Sequence, residues 1–241
     1  MKKIIILILP ILILISCKIT EEVYFKKDGS GIYNFKMDMG GATKMLKGIA
    51  ANDSIKKETA PEKMDTLILF ADILKQNKDS IAQMSKEERE FLESLKDAKI
   101  HIYVDETKDK VFLNYEIPFK NIEDLNNINE KLKKLNSYNS RGAKDMDQSI
   151  DEFQVLYRFD KHGFSRKVKL PRKSGIQQTQ EDNKFLSIVD YEIIYHFPYK
   201  IDKVSYKDAL ISTDANTLHI KVPLDSLMKN PQMLDFEVKF R

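Results

Sequence analysis

Cys17 is the sole cysteine in a chain of 241 residues. A cysteine thiolate is a strong nucleophile and a metal ligand. With no second cysteine, a disulfide within the chain is excluded. The four histidines, His101, His162, His196 and His219, are not paired at metal-ligand spacing, and no HExxH run occurs. His101, His196 and His219 fall in alternating stretches, which places them on the wetter face of their strands. Glu87, Glu88, Glu90 and Glu93 gather carboxylates, but near a helix start, where the helix dipole favours acids on a solvated face. Asp145, Asp147, Ser149 and Asp151 have the odd spacing of a calcium loop. Ile150 then stands where that loop needs glycine, and Leu156 where it needs a bidentate glutamate. Asp28-Gly29-Ser30-Gly31 lacks both GxGxxG and a following Lys-Ser/Thr, and it leads into a strand, so it reads as a hairpin turn and not a phosphate cradle. No GxSxG elbow occurs. No residue is nominated as catalytic, and no metal or cofactor is implied. The chemistry left to explain is at Cys17.

What precedes Cys17 explains its position. Lys2 and Lys3 are followed by the apolar run Ile4 to Ile15, broken by Pro10, and then by Ser16. Twelve residues span about 18 Å as a helix, short of the roughly 30 Å hydrocarbon core of a bilayer. The length and flanks fit a secretory signal peptide. Leu14-Ile15-Ser16-Cys17 resembles the lipobox of bacterial lipoproteins. That resemblance implies alkylation of the Cys17 sulfur by a diacylglyceryl group, cleavage between Ser16 and Cys17, and often acylation of the new amino terminus, palmitate being a common acid. Two acyl chains at about 0.8 kcal/mol per buried methylene would hold the protein on a membrane without a transmembrane helix. Lys18 stands where an aspartate would signal inner-membrane retention, which points to the outer membrane of the cell envelope. Glu21-Glu22 would suit surface display.

Losing Lys2 and Lys3 lowers the formal charge from +3 to +1. Near-neutrality argues against nucleic acid as a partner and against a polybasic membrane surface. The expected organisation is a signal peptide over 1–16, a lipidated polar tether over 17–22 and one domain over 23–241, whose helical portion, 41–98, forms a sub-lobe.

The elements of that domain follow from periodicity. Val23 to Phe25 and Ile32 to Met39 read as a hairpin about Asp28-Gly29-Ser30-Gly31. In "PEKMDTLILFADILKQ", Met64, Leu67, Ile68, Ala71 and Leu74 share one helical face behind Pro61. Ser85 and Glu88 form a capping box. "KIHIYVDE" and "VFLNYEIPF" make a second hairpin, followed by a helix with the stripe Ile122, Leu125, Ile128, Leu132 and Leu135. Hairpin followed by helix thus occurs twice. The last third is β-rich. It holds a hairpin about His162-Gly163, a long strand ending at Pro198, the strand "LHIKVP", a helical turn after Pro223, and an alternating C-terminal strand through Leu234, Phe236, Val238 and Phe240. The class is α+β, an antiparallel sheet with helices packed mainly on one face, built from hairpin-then-helix units.

"YHFPYKI", the polar hairpin around "STDANT" and the return "LHIKVPLD" resemble the C-terminal part of LppM-like envelope lipoproteins. "FKKDGSGIYNFKMDM" close after a lipidated cysteine is similar to uncharacterised Bacteroidota lipoproteins. Both resemblances imply an α+β envelope domain and bring no reaction with them. Tyr191, Tyr195, Phe197 and Tyr199 recur along one strand end. They could line a groove for a lipid, glycan or peptide, although strands favour aromatics for plain packing. The expectation is a membrane-anchored binding or structural protein whose partner is an envelope protein or a lipid. The alternatives are a carrier of hydrophobic ligands, with an apolar cavity between sheet and helices, and an envelope enzyme whose residues meet only in the fold.

Overall fold

A computed structural model describes residues 17–40, 63–128, 130–131, 154–170 and 186–241. The calcium-like stretch 145–151 lies outside them, as do 1–16, 41–62, Leu132 and Leu135.

Twelve strands and five α-helices are formed among the described residues. In chain order they are β1 (Cys17–Phe25), β2 (Gly31–Asp38), β3 (Lys63–Leu69), α1 (Phe70–Gln76), α2 (Lys78–Ala82), α3 (Lys86–Glu93), β4 (Lys99–Asp105), β5 (Lys110–Phe119), α4 (Ile122–Asn126), β6 (Gln154–Phe159), β7 (Gly163–Lys169), β8 (Val189–His196), β9 (Ile201–Val204), β10 (Leu210–Ile211), β11 (Thr217–Pro223), α5 (Leu224–Lys229) and β12 (Phe236–Phe240). The mixed α and β class is the one expected. The strands form a large sheet in the order β10-β11-β8-β1-β2-β5-β4-β3 and a small one in the order β6-β7-β12-β9. Every pairing is antiparallel except β1 with β8.

Hairpin chemistry sets the first pairing. Gly29 takes φ +82°, and Asp28 accepts from the Ser30 amide (3.0 Å) and hydroxyl (2.7 Å). Gly31 is required for a different reason. A Cβ there would sit 2.0 Å from the Tyr24 carbonyl oxygen and 2.4 Å from the Phe119 ring.

Two expectations are corrected. Residues 18–22 are not a tether. They lie inside β1, an interior strand of the large sheet, and Thr20, Glu21 and Glu22 are buried. The Glu21 and Glu22 carboxylates are satisfied by neighbouring strands and by the second sheet, so polarity there did not signal exposure. Likewise the single helix through Met64, Leu67, Ile68, Ala71 and Leu74 is split. Residues 63–69 form β3, paired residue for residue with β4, and the helix begins at Phe70. Met64, Thr66 and Ile68 are half-buried while Leu67 and Leu69 are exposed, a period of two. Pairing with β4 outweighed the helical pattern. The capping box at Ser85 and Glu88 forms as expected.

The core lies between the inner face of the large sheet and a cover made of the small sheet and the helices. Phe25 stacks on Phe159 (4.8 Å) and Phe197 (5.4 Å), and Phe164 meets Tyr195 edge-on at 5.1 Å. Such pairs add about 0.5–1.5 kcal/mol each beyond the area they bury. Leu95, Leu125 and Ile128 join this cluster from the helical side. After His196 the chain passes from the large sheet to the small one. The 212–216 turn holds that crossing: the Phe197 amide donates to Asn216 (2.8 Å), the Ile201 amide to Ala215 (2.7 Å) and the Asn216 side chain to Phe197 (3.0 Å).

Candidate functional site

Alternation along β1 sends Glu21 inward and Glu22 outward, and each carboxylate organises a cluster. Glu21 lies between the two sheets and is 2% exposed. It accepts hydrogen bonds from the hydroxyls of Tyr157 (2.8 Å), Tyr191 (2.8 Å) and Tyr195. The Arg166 guanidinium, from β7, stands 3.6 Å away and donates to the Leu234 carbonyl at 3.1 Å. Burial, and after it the charge of Glu21, push the hydroxyls of Tyr33, Tyr157, Tyr191 and Tyr195 well above the ordinary tyrosine range, against the opposing field of Arg166. Burial disfavours the charged form of Arg166, yet the carboxylate and the tyrosines around it outweigh that and raise its pKa. These tyrosines stay protonated and the guanidinium stays charged. The cluster is a fixed electrostatic clamp, unsuited to passing protons near neutral pH.

The outward cluster lies on the open face of the large sheet. Glu22 accepts from Tyr24 (2.8 Å), from His196 Nε2 (2.9 Å) and from Lys36. Burial works to raise the Glu22 carboxyl, but the bonds from Lys36, His196 and Tyr24 prevail and hold it below the usual glutamate range. Tyr24 is pushed up to about 12 by burial and then by its bond to Glu22. The Tyr24 and His196 rings stack 4.1 Å apart and 5° from parallel. With Nε2–H given to Glu22, His196 Nδ1 accepts from the Thr217 hydroxyl at 3.1 Å. Farther along the same face, Glu192 pairs with Lys18 (3.1 Å) and lies 3.7 Å from His219, and His101 lies 2.8 Å from Asp65. All three histidines expected on the wetter face are there, half-exposed, each beside a carboxylate. Among the described residues no group of three or more histidine, cysteine, aspartate or glutamate side chains could hold a metal. The face offers charges of both signs and a stacked aromatic pair to a polar partner.

A third feature is a cleft of about 680 Å³ between α1–α3 and the end of β5. Its apolar wall includes Leu74, Ile81, Leu92, Ile117 and Phe119, and its rim carries Lys78, Arg89 and Lys120 together with Glu90 and Asp124. That volume falls within the roughly 300–1,000 Å³ of small-molecule sites.

The aromatics singled out in the sequence divide. Tyr195 and Phe197 are buried in the core, at 0% and 4% exposure. Tyr191 is half-buried, with its hydroxyl on Glu21. Tyr199 packs against Phe159 (6.1 Å) and Phe240 (5.5 Å). The structure brings them together as core and clamp. Cys17 opens β1 beside Val189 and Leu224, and burial, then the charge of Asp38, raises its thiol pKa. Glu21 and Arg166 escaped the sequence reading, because Glu21 draws partners 136 to 174 residues away. The one local signal was a single charge set in the alternation Ile19, Glu21, Val23, Phe25. Both Glu21 and Glu22 are buried.

No family model matches the chain, and no curated protein matches it. Among solved structures it is similar to the folded domain of LppM from Mycobacterium tuberculosis, with a TM-score of 0.38 and 8% identity over 94% of this chain and 90% of that one.

Proposed function

We propose that this protein is a lipoprotein of the bacterial cell envelope, held on a membrane by a diacylglyceryl thioether at Cys17 and acting as a binding or structural platform. The observation that carries the reading is the position of Cys17. It follows the apolar run 4–15 with only Ser16 between, and it opens β1, an interior strand of the large sheet. Anchor and body are therefore joined without slack. The part suited to a partner is the open sheet face around Glu22, Tyr24 and His196. Nine residues of β1 set the far end of that face about 26 Å from the anchor, at about 3.3 Å per residue. Lys18 favours the outer membrane as destination, and no helix among the described residues is long and apolar enough to cross a bilayer. A second reading rests on the cleft beside α1–α3, whose apolar wall suits the chain of an amphiphile.

Intact mass spectrometry of protein from a lipoprotein-processing bacterium tests both readings. The expected spectrum shows cleavage before Cys17 and the added mass of a diacylglyceryl group, both lost in Cys17→Ala. A retained leader, or a bare sulfhydryl at Cys17, refutes the anchor. Native spectra of the same sample should show a non-covalent lipid if the cleft is a carrier site, and none if it is not.

A further inference from the structure

We infer that the end of the large sheet around Cys17 is a membrane-contacting surface, so that the domain stands on the bilayer with its strands rising from it. This deepens the anchoring reading and rests on it. The argument begins with reach. A lipoprotein with a flexible linker can hold its body at any angle and distance. Here the linker has zero length, because Cys17 itself is paired with Val189 in β8 and Lys18 with Asp38 in β2. Glu21, four residues farther on, then ties β1 to the second sheet through Tyr157 and Arg166. A glyceryl group on the Cys17 sulfur can enter the bilayer only if the protein surface around that sulfur lies at the headgroups. The unprocessed chain meets the same constraint, since its apolar run ends two residues before β1.

The surface there suits that position. Cys17, Val189 and Leu224 form a small apolar cluster of their own, with Met39, Leu186, Leu227 and Met228 half-buried around it. Ile188, next to Val189, is 49% exposed. These side chains come from the end of β2, the entry to β8 and helix α5, three segments that meet beside Cys17. At the opposite end of β1 the tip is polar: Lys26, Lys27, Asp28 and Ser30 make the turn. The lipid would leave the molecule beside this apolar cluster, whereas the β1–β2 turn is polar and the exposed Leu210 and Ile211 lie on the edge strand β10. Ordinary burial explains Val189 and Leu224, but it leaves half of Ile188 in water. A bilayer surface covers it.

The chain's sole cysteine makes the test clean, because a thioether at Cys17 leaves no competing thiol. Single cysteines are introduced as Ile188→Cys, Met39→Cys and, at the far tip, Ser30→Cys. Each lipidated, processed product is labelled with an environment-sensitive fluorophore and placed in vesicles of phosphatidylethanolamine and phosphatidylglycerol containing a nitroxide-bearing phospholipid. The expected result is strong quenching of the labels at 188 and 39, at least about threefold greater than at 30. Met39→Cys serves as the second probe should either variant fold poorly. Equal quenching at all three sites, or strongest quenching at 30, overturns the proposal. Intact mass of the same samples separates the two readings: a thioether with water-exposed labels at 188 and 39 sinks the orientation alone, whereas its absence removes the lipid anchor.

Discussion

Adjacent glutamates in β1 show how little a residue type says about its role. Glu21 and Glu22 are chemically identical, yet one is enclosed by tyrosine hydroxyls and a guanidinium and the other is held by Lys36, His196 and Tyr24 on an open face. The second arrangement has a pH signature. Because the folded Glu22 pKa is depressed, its stabilisation is complete above the ordinary glutamate value of about 4.3 and is lost as pH falls through the lower folded value. Tyr24 acts at the other extreme. Its folded pKa is raised, so its contribution is whole below the ordinary tyrosine value of about 10 and disappears as pH climbs towards about 12. Urea midpoints measured across pH should therefore fall at both ends. Glu22→Gln should flatten the acid limb and, by removing the charge on Tyr24, move the alkaline limb to lower pH. Unchanged limbs would show that these pairs do not persist in solution.

At the level of elements, glycine separates two kinds of turn constraint. Gly29 needs its positive φ but has open space around it, so Gly29→Ala should cost about 1–2 kcal/mol from backbone strain. Gly31 has an ordinary φ and no space, and Gly31→Ala must displace the Tyr24 carbonyl or the Phe119 ring. Its cost should match or exceed the first, about 1–3 kcal/mol or more, with near-ultraviolet dichroism changing as the Phe119 packing shifts. Calorimetric midpoints for the two variants check the order. The hairpins around Gly29, Lys108 and His162 were legible because turn residues and alternation are local. The same holds for the capping box at Ser85. β3 was not, because Met64, Leu67, Ile68, Ala71 and Leu74 satisfy a helical period as well as their strand and helix halves satisfy their own. What decides between them is β4, some 35 residues on, and no window around β3 contains it. The site was harder still. The partners of Glu21 come from β6, β7 and β8, and those of Glu22 include Lys36 from β2 and His196 from β8.

For the whole molecule, the Glu21 clamp joins the first strand to both sheets. Glu21→Ala leaves the Arg166 guanidinium buried without its carboxylate, which should cost about 3–5 kcal/mol out of a total stability of roughly 5–15. Replacing Glu21 and Arg166 together by Gln and Met should cost less than the sum of the single changes, measured by denaturant unfolding. Simple additivity would mean that the pair is not coupled. The parallel pairing of β1 with β8 has a consequence for the order of events in the cell. Synthesis delivers β1 first and β8 about 170 residues later, so one edge of β1 and the pocket for Glu21 do not exist until most of the polypeptide has emerged. Such long-range closure is slow. Throughout that interval Cys17 stands on an unfinished strand, so the modification proposed above would have to precede the closure that buries its sulfur.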